Sequence, residues 1–445
     1  MMKYKFLTII CSFLLMCHLV AARQKVILLL ADGLRWDRFS EDLPSLMRVE
    51  ENGVRAEWMD GVFVTLSCPS MYSIATGLYP ENHGAIHNLY FDPVTRERTY
   101  NYYATLDKAE WFDTGAEPVW VTAIMQGLNA ATIMYPGGQV PIKGIKPNKT
   151  IISTAENIRN YKMKDRVDTT ISWLQDDDID IAFIYFDNPD AYYHVYGIGS
   201  VNGTAKLYEV DANIGYLFDR LAETGLDQNT NVIIASDHGH VNVETEDYII
   251  LSDYVDIEAD VDFLIADYGP MFQLVPKNTT DDKVYNALKN AHPALHVYKR
   301  EEMPERLHYR DNLRILPIVG FVDPGWHMHS RRGLHPLADV ASDHGYDNKW
   351  KDMKSSFYAQ GPYFKKNYRA PALESVDLYN LMCEILDIEP APNNGSRDRY
   401  VDMLVHSPST TAIYSTTDSS TSKLTSASLM TVILFMLSTI ILSFN

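Results

Sequence analysis

Three uninterrupted apolar runs frame the chain. They are Lys25 to Ala31 (Lys-Val-Ile-Leu-Leu-Leu-Ala), Asp178 to Asp187 (Asp-Ile-Asp-Ile-Ala-Phe-Ile-Tyr-Phe-Asp) and Asn231 to Ser236 (Asn-Val-Ile-Ile-Ala-Ser). Runs of this length without sustained polar alternation predict strands buried on both faces of a parallel sheet. Between the second and third, Leu207, Val210, Ile214, Leu217 and Leu221 recur at helical spacing. They predict an amphipathic helix over Lys206 to Thr224 with its stripe in the core. A strand near Ser356 to Ala359 and a helix from Ser375 to Leu386 follow late in the chain. Strands alternating with helices predict an α/β fold, with a mostly parallel central sheet flanked by helices. From about 264 to 336 the alternation stops. Strands at Met271 to Pro276 and Leu313 to Phe321, with a helix from Asp282 to Asn290 between them, predict a small inserted α+β subdomain.

Another short buried run, Val62 to Leu66, leads into Ser67-Cys-Pro-Ser-Met-Tyr. Pro69 suits a first helical turn, where its missing N–H costs nothing, and Gly77 suits the end. Ser67 is thus expected just ahead of a helix N-terminus, where unpaired N–H groups and the dipole favour an anionic phosphoryl group. On the local pattern alone, a plain helix cap is the better fit.

The ends of the buried runs change that balance. The first run ends in Asp32-Gly33, and the third in Asp237-His238-Gly239-His240. The second leads to Asn188-Pro189-Asp190-Ala-Tyr-Tyr-His194, whose Asp190 and His194 would share one face of a helical turn. Open α/β sheets build their sites at this edge. With Ser67 and His344, the set is three aspartates, three histidines and a hydroxyl. It suits two borderline divalent ions such as Zn²⁺.

The formal net charge of −19 makes a metal the natural source of positive charge for a phosphate ester, and argues against nucleic acid as a stable partner. Lys3 and Lys5 ahead of the apolar stretch Phe6 to Val20 predict a signal peptide over residues 1–22. Cys11 and Cys17 leave with it, so Cys68 and Cys383 are expected as free thiols. Four sequons, at Asn148, Asn202, Asn278 and Asn394, fit a glycosylated secreted chain. After a catalytic domain over 23–404, a Ser/Thr-rich stalk is expected over 405–420 and an apolar tail over 421–445. Small residues Asp418-Ser419-Ser420 before that tail predict a glycosylphosphatidylinositol (GPI) anchor at the cell surface. The runner-up is a single-pass transmembrane helix.

The motifs Ala-Asp32-Gly-Leu-Arg, Ser67-Cys-Pro-Ser-Met-Tyr through Thr76-Gly-Leu-Tyr-Pro-Glu-Asn-His-Gly, Asn-Pro-Asp190-Ala-Tyr-Tyr-His194, Ser-Asp237-His238-Gly and Asp-His344-Gly-Tyr-Asp-Asn run across most of residues 25–404. Together they resemble the ecto-nucleotide pyrophosphatase/phosphodiesterases of the alkaline phosphatase superfamily, in particular the single-domain membrane-anchored members. The resemblance implies an alkaline-phosphatase-like fold and two Zn²⁺ per subunit. It implies one zinc on Asp190, His194 and His344, and the other on Asp32, Asp237, His238 and the Ser67 oxygen. It further implies Ser67 as a nucleophile forming a covalent intermediate, Asn88 as an amide steadying a phosphoryl oxygen, and a nucleotide or dinucleotide substrate. Two positions depart from the family pattern and bear on base binding. Cys68 stands where an aromatic usually follows the nucleophile, and Tyr135 stands where a Trp is common.

Four competing functions bear weighing. A sulfatase would need an Arg at Tyr72, and a phosphomonoesterase an Arg near Ser67; the sequence offers neither. A choline-phospholipid phosphodiesterase or a catalytically silent surface binding protein would also fit the sequence.

Overall fold

The computed structural model describes residues 23–405 apart from residue 41, residues 244–247 and residues 333–339. The signal peptide, most of the stalk and the apolar tail with its anchor lie outside the described residues. Among the described residues no helix is long and apolar enough to cross a membrane.

The three apolar runs form β1 (Lys25–Ala31), β2 (Ile181–Phe186) and β3 (Thr230–Ala235). β1 lies between the other two and parallel to both, with Ala31 opposite Phe186 and Leu30 opposite Ala235. Their C-terminal ends therefore align at one edge of the sheet. The full sheet has eight strands in the order Tyr368–Ala370, Val54–Ala56, Phe357–Gln360, β3, β1, β2, Ala130–Ile133, Lys149–Ile151. Phe357–Gln360 is antiparallel to both its neighbours, and the remaining pairings are parallel.

Both faces of the sheet are covered, which explains why these strands carry no polar alternation. Val26, Leu28 and Leu30 point into one core with Met71, Ile74, Leu378 and Met382 from two helices, Ser67–Thr76 and Asp377–Leu386. Ile27, Leu29 and Ala31 point into a second core, which also receives the predicted stripe of Leu207, Val210, Ile214, Leu217 and Leu221. The helix bearing that stripe starts at Val201 rather than Lys206, because Ser200 caps it by accepting the Gly203 N–H.

The segment after β3 forms a second sheet of four antiparallel strands in the order Val261–Ile265, Met271–Pro276, Ile318–Val322, Leu295–Lys299. Helix Asp281–Lys289 packs on it through Val284, Tyr285 and Leu288. The strand expected from Leu313 begins only at Ile318; before it, the Leu316 N–H is taken by the Gln273 side chain instead of a ladder.

Candidate active site

The sheet edge gathers the predicted residues. Asp32 follows β1 directly, and Asp237 and His238 lie just beyond β3. Ser67 is the first residue of α1 (Ser67–Thr76), so this helix starts two residues before Pro69 and Leu66 takes the cap position. Gly77 ends α1 in the left-handed conformation (φ 67°), donating its N–H to the Ser73 carbonyl. Past β2, a short helix, α2 (Asp190–Tyr196), carries Asp190 and His194 on one face. His344 comes in from the strand Ser342–Asp343.

These side chains form two clusters. In the first, Asp190 Oδ1 lies 3.4 Å from His194 Nε2 and 3.5 Å from His344 Nε2, and the two histidine nitrogens are 3.1 Å apart. In the second, His238 Nε2 lies 3.3 Å from Asp32 Oδ1, 3.3 Å from Asp237 Oδ2 and 3.4 Å from Ser67 Oγ. Ligand bonds of roughly 2.0–2.1 Å in a tetrahedral site place ligand atoms roughly 3.3–3.4 Å apart, so both clusters have the right spacing. The histidines also point the right way. The Nδ1 atoms of His194, His238 and His344 each lie 2.8–3.0 Å from a backbone carbonyl, of Ser342, Gly239 and Thr65. Each Nδ1–H donates there, leaving an Nε2 lone pair aimed into the cluster. Asp32 Oδ1 and Asp237 Oδ2 are buried without a hydrogen-bond partner, as oxygens reserved for a cation would be. The residues present therefore fit two metal ions. The clusters touch: the His238 and His344 rings stack with centroids 3.5 Å apart.

Electrostatics favours a cation here too. Burial, then the nearby Asp237 and Asp190 charges, push the Asp32 carboxyl well above the usual carboxylate range. Burial also opposes ionisation of Asp190, but His194, with hydrogen bonds from His194 and His240, outweighs it and holds the group low. Burial likewise opposes protonation of His194, yet Asp190 raises it to about 9.

The clusters open into a cavity of 590 Å³. Its lining includes Ser67, Asn88, Asp187 and Asp343 beside Tyr102, Tyr103 and Tyr268, with no Lys or Arg among the described lining residues. Asn88 Oδ1 accepts the Cys68 N–H at 2.7 Å, so its amide NH₂ turns toward the cavity, where it also meets Tyr268.

Two expected base-binding side chains are elsewhere. Successive helix residues point about 100° apart, so with Ser67 facing the clusters Cys68 turns inward. Its thiol is fully buried in the core and not in the cavity wall. Tyr135 is also core: its hydroxyl donates to the Met71 carbonyl and its ring packs edge-on against Trp120 and Phe183. The aromatic wall comes instead from Tyr102 and Tyr103, in tyrosine-rich sequence, and from Tyr268, none of which carries a distinguishing motif. Both Cys68 and Cys383 are free thiols. Asn148, Asn202, Asn278 and Asn394 are all exposed. Sequence reasoning missed His240, fully buried beside Asp190, although its place one residue past Asp237-His238-Gly239 was a usable signal.

Comparisons with known proteins agree with this geometry. The family model for type I phosphodiesterase / nucleotide pyrophosphatase matches residues 26–347. Human ectonucleotide pyrophosphatase/phosphodiesterase family member 7 is 37% identical over 392 residues, covering 86% of this chain and 84% of that protein. Human bis(5′-adenosyl)-triphosphatase ENPP4 is 35% identical over 379 residues, covering 84% of this chain and 80% of that protein. Among solved structures, an inactive variant of murine ectonucleotide pyrophosphatase/phosphodiesterase 5 in complex with AMP superposes with a TM-score of 0.80 at 34% identity, covering 86% of this chain and all of that one. The chain thus belongs to the ectonucleotide pyrophosphatase/phosphodiesterase family of the alkaline phosphatase superfamily, and it is a hydrolase.

Proposed function

We propose that the protein hydrolyses phosphodiester or pyrophosphate bonds of nucleotides through a covalent Ser67 intermediate, with two Zn²⁺ per subunit. The observation that carries this reading is the position of Ser67 Oγ at the start of α1, 3.4 Å from His238 Nε2 and facing the cavity. Asp190, His194 and His344 would hold one ion, and Asp32, Asp237, His238 and Ser67 the other. Bound there, the ions would lower the pKa of the Ser67 hydroxyl and neutralise phosphoryl charge. Ser67 Oγ attacks phosphorus and the ester oxygen departs, leaving a phosphodiester on Ser67 that water then hydrolyses. The Asn88 NH₂, fixed by the Cys68 N–H, donates to a phosphoryl oxygen as charge builds on it. Tyr102, Tyr103 and Tyr268 offer faces on which a nucleobase stacks. Nucleotide recognition is supported by the AMP complex of the murine relative and by the activity named for ENPP4.

One observation favours a second reading. A cavity whose described lining residues include tyrosines and carboxylates but no Lys or Arg also suits a quaternary ammonium group, as in a choline phosphodiester. Parallel assays with p-nitrophenyl thymidine monophosphate and p-nitrophenylphosphorylcholine separate the two. The nucleotide ester is expected to show at least ~10-fold higher kcat/KM, a difference of about 1.4 kcal/mol in transition-state binding. The reverse ratio selects the choline reading, and hydrolysis of neither ester selects a silent binding protein.

We further propose that the mature protein is extracellular, glycosylated at the four exposed sequons, and held at the cell surface by a GPI anchor. Phosphatidylinositol-specific phospholipase C is expected to release it from intact cells. Retention after that treatment points to a transmembrane helix instead.

A further inference from the structure

Each metal cluster contains a carboxylate held by a buried donor, and the donors come from unexpected places. Asp32 follows β1 and belongs to the cluster with Asp237 and His238. Its Oδ2 accepts the hydroxyl proton of Tyr185 at 2.5 Å, while its Oδ1 faces His238 without a hydrogen-bond partner. Tyr185 lies on β2, the strand that leads to the other cluster. The register places it opposite Leu30, so Tyr185 and Asp32 lie on the same face of the sheet. Asp190 belongs to the cluster with His194 and His344. Its Oδ1 lies 2.6 Å from Nε2 of His240, which follows β3 and the ligands Asp237 and His238.

Proton accounting gives the His240 contact a direction. The Ser342 hydroxyl, 2.9 Å from His240 Nδ1, donates to the Tyr193 carbonyl at 2.7 Å. An ionised carboxylate only accepts, so at 2.6 Å it is the His240 Nε2–H that donates to Asp190. The bend after β1 seals the arrangement. Gly33 has φ +70°, and a Cβ there would come within 2.9 Å of the Asp190 Cβ and 3.1 Å of the His240 ring. The Asp190 N–H donates to the Asp32 carbonyl at 3.0 Å, and the Gly33 N–H to Asp237 Oδ1 at 3.2 Å.

We propose that Tyr185 and His240 are positioning residues that cross-brace the two metal sites. The strand serving each site supplies the buried donor that fixes a carboxylate of the other. The inference rests on the two-metal reading above. Removing a hydrogen-bond donor from a metal ligand typically weakens metal binding 10–100-fold.

The test is zinc binding alone, measured by competition with a chromogenic chelator. The wild-type protein is expected to take up two tight equivalents; fewer than two would count against the two-metal reading itself. Tyr185→Phe removes a single oxygen and is expected to weaken one equivalent about 10–100-fold. His240→Leu is expected to weaken the other by a similar factor. His240→Gln, which returns an N–H close to the Nε2 position, is expected to recover most of that loss. In a His344→Ala background, which disables the Asp190 cluster, Tyr185→Phe still weakens the remaining equivalent and His240→Leu does not. Wild-type affinities in both single variants overturn the proposal, as does the opposite assignment in the His344→Ala background. Outright loss of an equivalent in His240→Leu that His240→Gln fails to recover also overturns it, because His240 is then a ligand. Far-ultraviolet circular dichroism reports folding; if His240→Leu is misfolded, Tyr185→Phe and His240→Gln decide.

Discussion

Ser67→Ala is expected to lower kcat on a nucleotide phosphodiester by at least ~10³-fold, equivalent to about 4 kcal/mol of transition-state stabilisation, while both metal ions stay bound. The size follows from the removal of the attacking atom, for which the cavity offers no positioned substitute. Retention of metal follows from the ligand arithmetic. The second cluster keeps Asp32, Asp237 and His238, three ligands that meet within 3.3 Å of His238 Nε2, and the first cluster is untouched. The fold tolerates the change because Ser67 is the first residue of α1, where alanine costs little. Its neighbour Cys68 keeps the N–H that orients Asn88. A steady-state assay with matched metal analysis checks both halves. Loss of metal with loss of activity would make Ser67 a structural ligand rather than the nucleophile.

Stripping the metals is expected to lower the melting temperature by roughly 5–15 °C, because ligands that bind only the native state stabilise it by mass action. The acidic cluster adds a second, pH-dependent effect with a definite sign. The Asp32 carboxyl is pushed up by burial, then by Asp237 and Asp190, so the folded metal-free state binds its proton more tightly than the unfolded chain. A group shifted this way contributes stability at low pH that is lost as pH rises through the unfolded and then the folded value. Asp32→Asn removes that loss. It is therefore expected to raise the melting temperature of the metal-free protein at neutral pH, yet lower that of the metal-loaded protein, which loses a ligand. Calorimetry on both forms of both proteins checks the crossing. Parallel shifts in the two forms would show that Asp32 acts through packing and not through its charge.

Strand-end carboxylates were legible in the sequence for a simple reason. A strand buried on both faces must be apolar throughout, so the first charged residue after it marks where the sheet edge meets solvent or a site. Asp32 after Ala31 and Asp237 after Ser236 read directly from that rule, and Asp190 with His194 from helical spacing. Neighbourhood in sequence did not carry over to neighbourhood in the site. Cys68 is next to Ser67 in sequence, but the helix turns its thiol into the core, and Tyr135 beside its turn is held inward by the Met71 carbonyl. The reverse holds for Tyr185 and His240. Tyr185 sits inside an apolar run where an aromatic looks like core, and only the register with β1 brings its hydroxyl to Asp32. His240 reads as a spare histidine until Asp190 arrives from a segment 50 residues away in sequence. Contacts made between parallel strands leave no periodic trace in either strand alone.

In the proposed mechanism Ser67 would be activated by a metal ion held with Asp32, Asp237 and His238, beside a second ion on Asp190, His194 and His344. Elemental analysis of purified wild-type and Ser67→Ala protein, with turnover of a nucleotide phosphodiester measured on the same samples, checks this without intermediate assumptions. Two zinc ions per chain are expected in both proteins, and turnover in the wild type alone. Undiminished turnover by Ser67→Ala, or full wild-type activity with fewer than two bound metal ions, would contradict the mechanism.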